Sequence, residues 1–288
     1  MPIKTILACV SSAEASRTTL EVALRLAQRP GAHIEAIHVR ADPRGLVPYT
    51  GEGMDGSMIE EIMEVTEKEG GERAEKARAM FDAFCRERGI AVADRPNGGA
   101  GPTICWREET GREDEIIAVR GRLFDLIAVG RPLRDAPLPS PITLEAALLD
   151  TGRPIVIAPP SLPEHTGRHV AVAWETSPEA ARAIAQSISI LAAAEKVTLL
   201  AGEPATPPAI APEEGVARLA WSGISAEIRR FNTNDEEIGA AYLRHAGEVG
   251  ADFLVKGAYS QSRLRQMILG GRTRHIITHT DIPACLAH

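Results

Sequence analysis

The chain has 288 residues, a length that suits two domains of ordinary size. Apolar residues make up 44% and charged residues 25%, as in globular proteins, and only 4% are aromatic, so the core falls to Ala, Leu, Ile and Val. A net charge of -7 without any basic run argues against a nucleic-acid binder, which needs a basic face to neutralise phosphates.

In chain order, the first strand is expected near 3–10, entered without a basic segment, an apolar stretch and a cleavage site, so no secretory leader is read there. Helices near 14–28, 58–88, 112–121 and 142–149 then alternate with strands near 33–39, 103–109, 125–129 and 154–158. The glycines within 43–58 (GEGMDGSM) and 97–101 (NGGAG) read as loop and turn, because neither directly follows a strand. The segment PPSLPEHTG over 159–167 breaks both periodicities and is the expected boundary between a first unit, 1–160, and a second, 167–288. In the second unit strands are expected near 168–174, 196–201, 225–231, 252–256 and 283–287, with helices near 178–193, 212–222, 235–248 and 261–278.

Near-continuous apolar strands alternating with helices predict an α/β fold with parallel sheets covered on both faces. Five strands per unit predict two doubly wound, Rossmann-like sheets of order 3-2-1-4-5, with the ligand crevice between the first and fourth strands. No window holds 18 consecutive apolar residues, so no membrane span is expected. Cys9, Cys85, Cys105 and Cys285 form no CxxC pair and no zinc spacing, which reads as buried thiols in a reducing compartment.

An internal repeat supports the duplication. ILACVSSAEASR (6–17) aligns without a gap on AVAWETSPEAAR (171–182), which sets Ser12 on Ser177, Arg17 on Arg182 and Val10 on Glu175. Later DLIAVG (125–130) matches DFLVKG (252–257), and PIVIA (154–158) matches PACLA (283–287). Ser12 and Ser177 read as helix N-caps, and no G-x-S-x-G elbow surrounds them. His275 and His279 share a helical face; with no third ligand evident they read as cations near a helix end rather than as a metal site.

The stretch after the fourth strand of the second unit carries the chemistry. Gly257 opens a loop that runs through Ser260, nine further residues, and then Gly270, Gly271, Arg272 and Thr273. Glycines let backbone N–H groups turn inward on an anion, and a helix start adds positive partial charge. This spacing resembles the nucleotide motif of the universal stress protein family, G-x2-G-x9-G-(S/T), in its tandem, two-unit form. The resemblance implies an adenine nucleotide alpha hydrolase-like fold and ATP, with magnesium, on the second unit. It implies phosphates at Gly257, Gly270, Gly271 and Thr273, and Ala173, Trp174 and Glu175 beside ribose and adenine. It further implies a cytoplasmic sensor or regulator in stress response with at most weak ATPase activity. Pairing of the two closing strands within the chain is also implied, and a homodimer of such chains is left open. Two residues depart from the motif: Ser260 stands for its second glycine, and Gly271 for its hydroxyl residue. In the first unit the prolines after Gly130 remove N–H donors, so that unit is expected to lack ATP. The competing reading is an interaction scaffold of the same fold that binds no nucleotide.

Overall fold

The computed structural model describes residues 3–43, 56–95, 101–133, 138–202, 210–232, 236–258 and 272–288. Ser260, Gly270 and Gly271, and nearly all of the 43–58 and 97–101 glycine segments, lie outside the described residues. In chain order the first half runs β1 (Thr5–Cys9), α1 (Ala13–Gln28), β2 (His33–Arg40), α2 (Gly56–Arg88), β3 (Ala91–Val92), β4 (Thr103–Thr110), α3 (Glu113–Arg120), β5 (Leu126–Gly130), α4 (Pro141–Asp150) and β6 (Ile155–Ala158). The second half runs β7 (His169–Ala173), α5 (Pro178–Gln186), α6 (Ile188–Ala193), β8 (Lys196–Gly202), α7 (Pro212–Ala220), β9 (Glu227–Phe231), α8 (Ile238–Glu248), β10 (Phe253–Gly257), α9 (Arg272–His279) and β11 (Ala284–Ala287).

The two separate sheets expected from the sequence are one. Eleven strands form a single sheet in the order β3-β4-β2-β1-β5-β6-β11-β10-β7-β8-β9. Every neighbouring pair is parallel except β6 with β11, where Ile157 faces Ala284 and Ile155 faces Leu286 in antiparallel register. Both strands are buried on both faces, so each lacks the charges or prolines that would shield a free edge, and each covers the other's. The two-residue β3 was also not anticipated; it extends the edge beside β4.

Side chains alternate between the two faces of this sheet. On one face a continuous core joins Ile6, Leu20, Phe81 and Phe84 of the first half to Val172, Ala183, Leu191 and Val255 of the second. The opposite face holds two cores. One gathers Leu7, Ile127, Leu144 and Leu148 with Ile277 and Leu286 from across the junction; the other gathers Ala173, Phe231, Tyr242, Leu254 and Ile276. The helix expected over 178–193 divides at Ser187, whose buried hydroxyl meets Cys285 Sγ at 3.2 Å. No helix among the described residues is long and apolar enough to cross a membrane.

The matched aspartates explain one repeated feature. Asp125 accepts from the backbone N–H groups of Lys4 and Thr5 at 2.8 and 3.0 Å. Asp252 does the same for Arg168 and His169 at 3.0 and 3.2 Å. Each aspartate clamps the start of its half's first strand to the start of the fourth, which fixes the register of the strands that frame the crevice.

Candidate functional site

β7 and β10 are parallel neighbours, with Val172 opposite Val255. Beyond Ala173 the chain turns to α5 on one face; α9 lies on the other face behind β10. The carboxyl ends of the two strands therefore border a crevice, the place where doubly wound sheets hold ligands.

Ala173 brings its backbone to this edge, but its side chain is buried in the core with Leu200 and Tyr242. Trp174 continues the ladder, donating its N–H to the Leu200 carbonyl at 2.9 Å, while its own carbonyl accepts from the Tyr242 hydroxyl at 3.0 Å. Its indole lies on Gly215 of α7 so closely that a Cβ there would stand 2.4 Å from the ring. The indole Nε1 is buried and meets no acceptor among the described residues.

Glu175 follows. Its Oε2 accepts from Lys256 Nζ at 3.2 Å, and its Oε1 is buried with no donor among the described residues. Glu179 in the first turn of α5 likewise has a buried Oε2 without a donor, although its Oε1 lies 3.6 Å from Arg182. An unsatisfied buried polar group costs about 1–3 kcal/mol, more when charged, so two such oxygens and an indole N–H at one strand edge call for partners of opposite hydrogen-bonding kind.

Gly257 has a packing reason to be glycine. A Cβ there would lie 2.3 Å from the Ala180 backbone nitrogen and 2.6 Å from the Glu179 carbonyl carbon. α5 thus rests its first turn on the end of β10, with Ser177 capping it by accepting from Ala180 N–H at 3.1 Å. On the other side, Arg272 opens α9 and Thr273 is buried in its first turn. The structure therefore brings Trp174, Glu175 and Gly257 together.

Lys256 was missed by sequence reasoning. Only 3% exposed, it holds Glu175, donates to the Gly257 carbonyl at 2.9 Å and lies 6.0 Å from the centre of the Tyr242 ring. The signal was present in the matched segments: DFLVKG carries this lysine where DLIAVG carries Val129, which packs in the apolar core.

The sheet register corrects the gapless repeat alignment. The aspartate clamps pair Thr5 with His169, and the ladder bonds of Val10 (to Ile37, 2.8 Å) and Trp174 (to Leu200) are equivalent. Val10 therefore corresponds to Trp174, not to Glu175, and Ser11 takes the place opposite Glu175. The helices keep the original match, since Ser16 N–H bonds Ser12 as Ala181 N–H bonds Ser177. The second turn is thus one residue longer. In the first half Ser16 Oγ accepts from the N–H groups of Ser11 and Ser12 at 3.0 and 3.2 Å. Its counterpart Ala181 has no hydroxyl, and no described residue accepts from the N–H groups of Glu175 and Thr176. The first-half residue after the fourth strand, Arg131, reaches over the junction to the Thr280 carbonyl at 2.9 Å and to Asp281 at 3.2 Å.

Other polar groups serve the fold. Burial alone would raise the carboxyl of Glu35, but Arg120 and Arg107 hold it ionised, and the net shift is downward. Burial pushes Glu113 up despite the hydrogen bond that Thr143 donates to it at 2.9 Å. Burial likewise pushes Cys85, Cys105 and Cys285 up to about 11. His275 and His279 stack at 4.2 Å, and His275 lies 3.3 Å from Glu237. Among the described residues no group of three His, Cys, Asp or Glu side chains is placed to hold a metal. A groove of about 410 Å³ lies on the first half between α2 and the ends of β2 and β4. Within it Arg40 pairs with Glu108 and Arg78 with Asp82.

No family model matches the chain, and no curated protein matches it by sequence. Solved structures do. A universal stress protein from Archaeoglobus fulgidus DSM 4304 is similar with a TM-score of 0.65 at 18% identity, over 98% of this chain and 95% of that one. A candidate universal stress protein from Pseudomonas aeruginosa UCBPP-PA14 is similar with a TM-score of 0.55 at 15% identity, over 99% and 93%. A protein of unknown function from Pseudomonas aeruginosa PAO1 is similar with a TM-score of 0.56 at 16% identity, over 99% and 92%. Over nearly its whole length the chain has the α/β fold, with a mostly parallel sheet, of universal stress protein structures.

Proposed function

We propose that residues 167–288 bind an adenine nucleotide, ATP with magnesium, at the carboxyl edge of β7 and β10, and that residues 1–160 form a second unit of the same fold that does not. One observation carries this reading: Oε1 of Glu175 is buried at the crevice without a donor among the described residues. A ribose supplies the hydroxyl donors such an oxygen lacks, and Trp174 Nε1 and the N–H groups of Glu175 and Thr176 would serve acceptors. In the first half Ser16 fills the equivalent turn and Val129 replaces Lys256, which argues against a nucleotide there. In this reading Gly257, Ser260, Gly270, Gly271, Arg272 and Thr273 surround the phosphates. The protein then acts in the cytoplasm as a nucleotide-responsive regulator of stress response, with hydrolysis weak at most.

Calorimetric titration of the full chain with ATP and magnesium tests this. Saturable binding at a single site is expected; no heat at millimolar nucleotide, with the fold intact by circular dichroism, overturns it.

The competing reading, a scaffold that presents its paired halves to protein partners, is favoured by Gly257. The close approach of α5 accounts for that glycine by packing alone. Nucleotide uptake under the titration would overturn this alternative.

A further inference from the structure

Lys256 is out of place for a strand buried on both faces. The matching position in the first half is Val129, so the fold itself needs no charge there. Burying an ammonium is unfavourable unless it is paired and hydrogen-bonded, and here it meets the Glu175 carboxylate and the Gly257 carbonyl beside the Tyr242 ring. Tyr242 in turn donates to the carbonyl of Trp174, the residue before Glu175. Backbone and side chain at 174–175 are thus both held, from α8 and from β10. The pair is one-sided, however. Lys256 occupies Oε2 of Glu175 and leaves Oε1, which is buried and without a donor among the described residues.

We infer that Lys256 is a positioning residue: by fixing Oε2 of Glu175 it sets Oε1 to accept a hydrogen bond from a ribose hydroxyl, and so makes the site select ribonucleotides over nucleotides lacking those hydroxyls. This rests on the nucleotide reading above. A carboxylate tethered through one oxygen loses little freedom when the other is engaged, whereas an untethered one would swing toward water.

The test compares ATP with 2′,3′-dideoxy-ATP by calorimetry on the full chain. The proteins are the wild type, Lys256→Met, Glu175→Gln and the double variant, each checked by circular dichroism. A hydrogen bond to a charged acceptor corresponds to roughly a tenfold to hundredfold preference for ATP in the wild type. Each single variant is expected to lose most of that preference, read as the ratio of the two affinities within each protein. The double variant, in which no charge is left buried alone, is expected to be no less selective than either single one. Should Lys256→Met fail to fold, the double variant is compared with Glu175→Gln: equal selectivity is expected because Lys256 acts only through Glu175, and a further loss on removing Lys256 overturns the inference. Retention of the wild-type preference without Lys256 overturns the inference. Equal binding of both nucleotides by the wild type overturns it and leaves the nucleotide reading standing; binding of neither overturns both.

Discussion

Gly257→Ala puts the packing of α5 on β10 to a direct test. The added Cβ would stand 2.3 Å from Ala180 N, 2.6 Å from Glu179 C and 2.7 Å from Ala180 Cα. All three are backbone atoms of a capped first turn, so no flexible side-chain end can swing aside; α5 or β10 must shift. Overpacking a well-filled site costs about 1–3 kcal/mol, and a backbone collision belongs at the upper end, about 3 kcal/mol. For a chain of this size that lowers the melting temperature by roughly 6 °C. Gly70→Ala is the control: it lies inside α2 with nothing within 4 Å of its Cβ position. There alanine's better helix propensity raises stability by about 0.5–1 kcal/mol. Thermal melts followed by circular dichroism at 222 nm would read both. If Gly257→Ala melts at or above the wild-type temperature, the account of why a glycine ends β10 is wrong.

Ser177→Ala should cost about 1 kcal/mol through the lost cap on α5, whereas Ser140→Ala, whose side chain makes no cap bond to α4, should be nearly silent in the same denaturation assay. Arg120→Met leaves Glu35 buried with Arg107 as its remaining close partner and should cost about 3 kcal/mol at pH 7. Because the folded carboxyl of Glu35 titrates below its unfolded value, its contribution is complete above the unfolded value and fades as pH falls through the folded one. Melts of wild type and variant should therefore converge in acid, and a gap independent of pH would refute the pairing. Glu113 has the opposite sign: its folded carboxyl is raised, so its ionisation opposes folding at neutral pH and not below its unfolded value. Glu113→Gln should raise the melting temperature at pH 7 and leave it unchanged in acid. All four cysteines are buried, and three titrate near 11, so a thiol reagent at pH 8 should label the native protein slowly and the unfolded protein at all four positions.

Much of the fold was legible because parallel strands buried on both faces leave apolar runs, as in Leu126–Gly130 and Ile155–Ala158. The merging of two sheets into one was less so, since a strand edge says what it cannot face, not which edge covers it. The repeat alignment failed by one residue between β7 and α5. A gapless match weights identical side chains, and Ser12/Ser177 stand at the starts of the helices with Arg17/Arg182 inside them; the added residue sits in the turn, where hydrogen bonds rather than identities set the register. Trp174 and Glu175 were named through the family resemblance, and they lie at the end of β7, the edge where doubly wound sheets hold ligands. Lys256 was passed over because a lysine closing an apolar run reads as the strand's solvated end. Its partner, 81 positions earlier in the chain, becomes its neighbour only once β7 lies beside β10. Gly257 was read for its freedom near phosphate, yet its need arises from α5, a contact that spacing does not encode.

The asymmetry between the halves is the centre of this account, and hydrogen–deuterium exchange of the full chain with and without ATP and magnesium tests it most directly. Added nucleotide should slow exchange at 174–180 and 272–276 and leave 10–16 and 130–133 unchanged. Protection at the first-half turn, or equal protection of both halves, would contradict it.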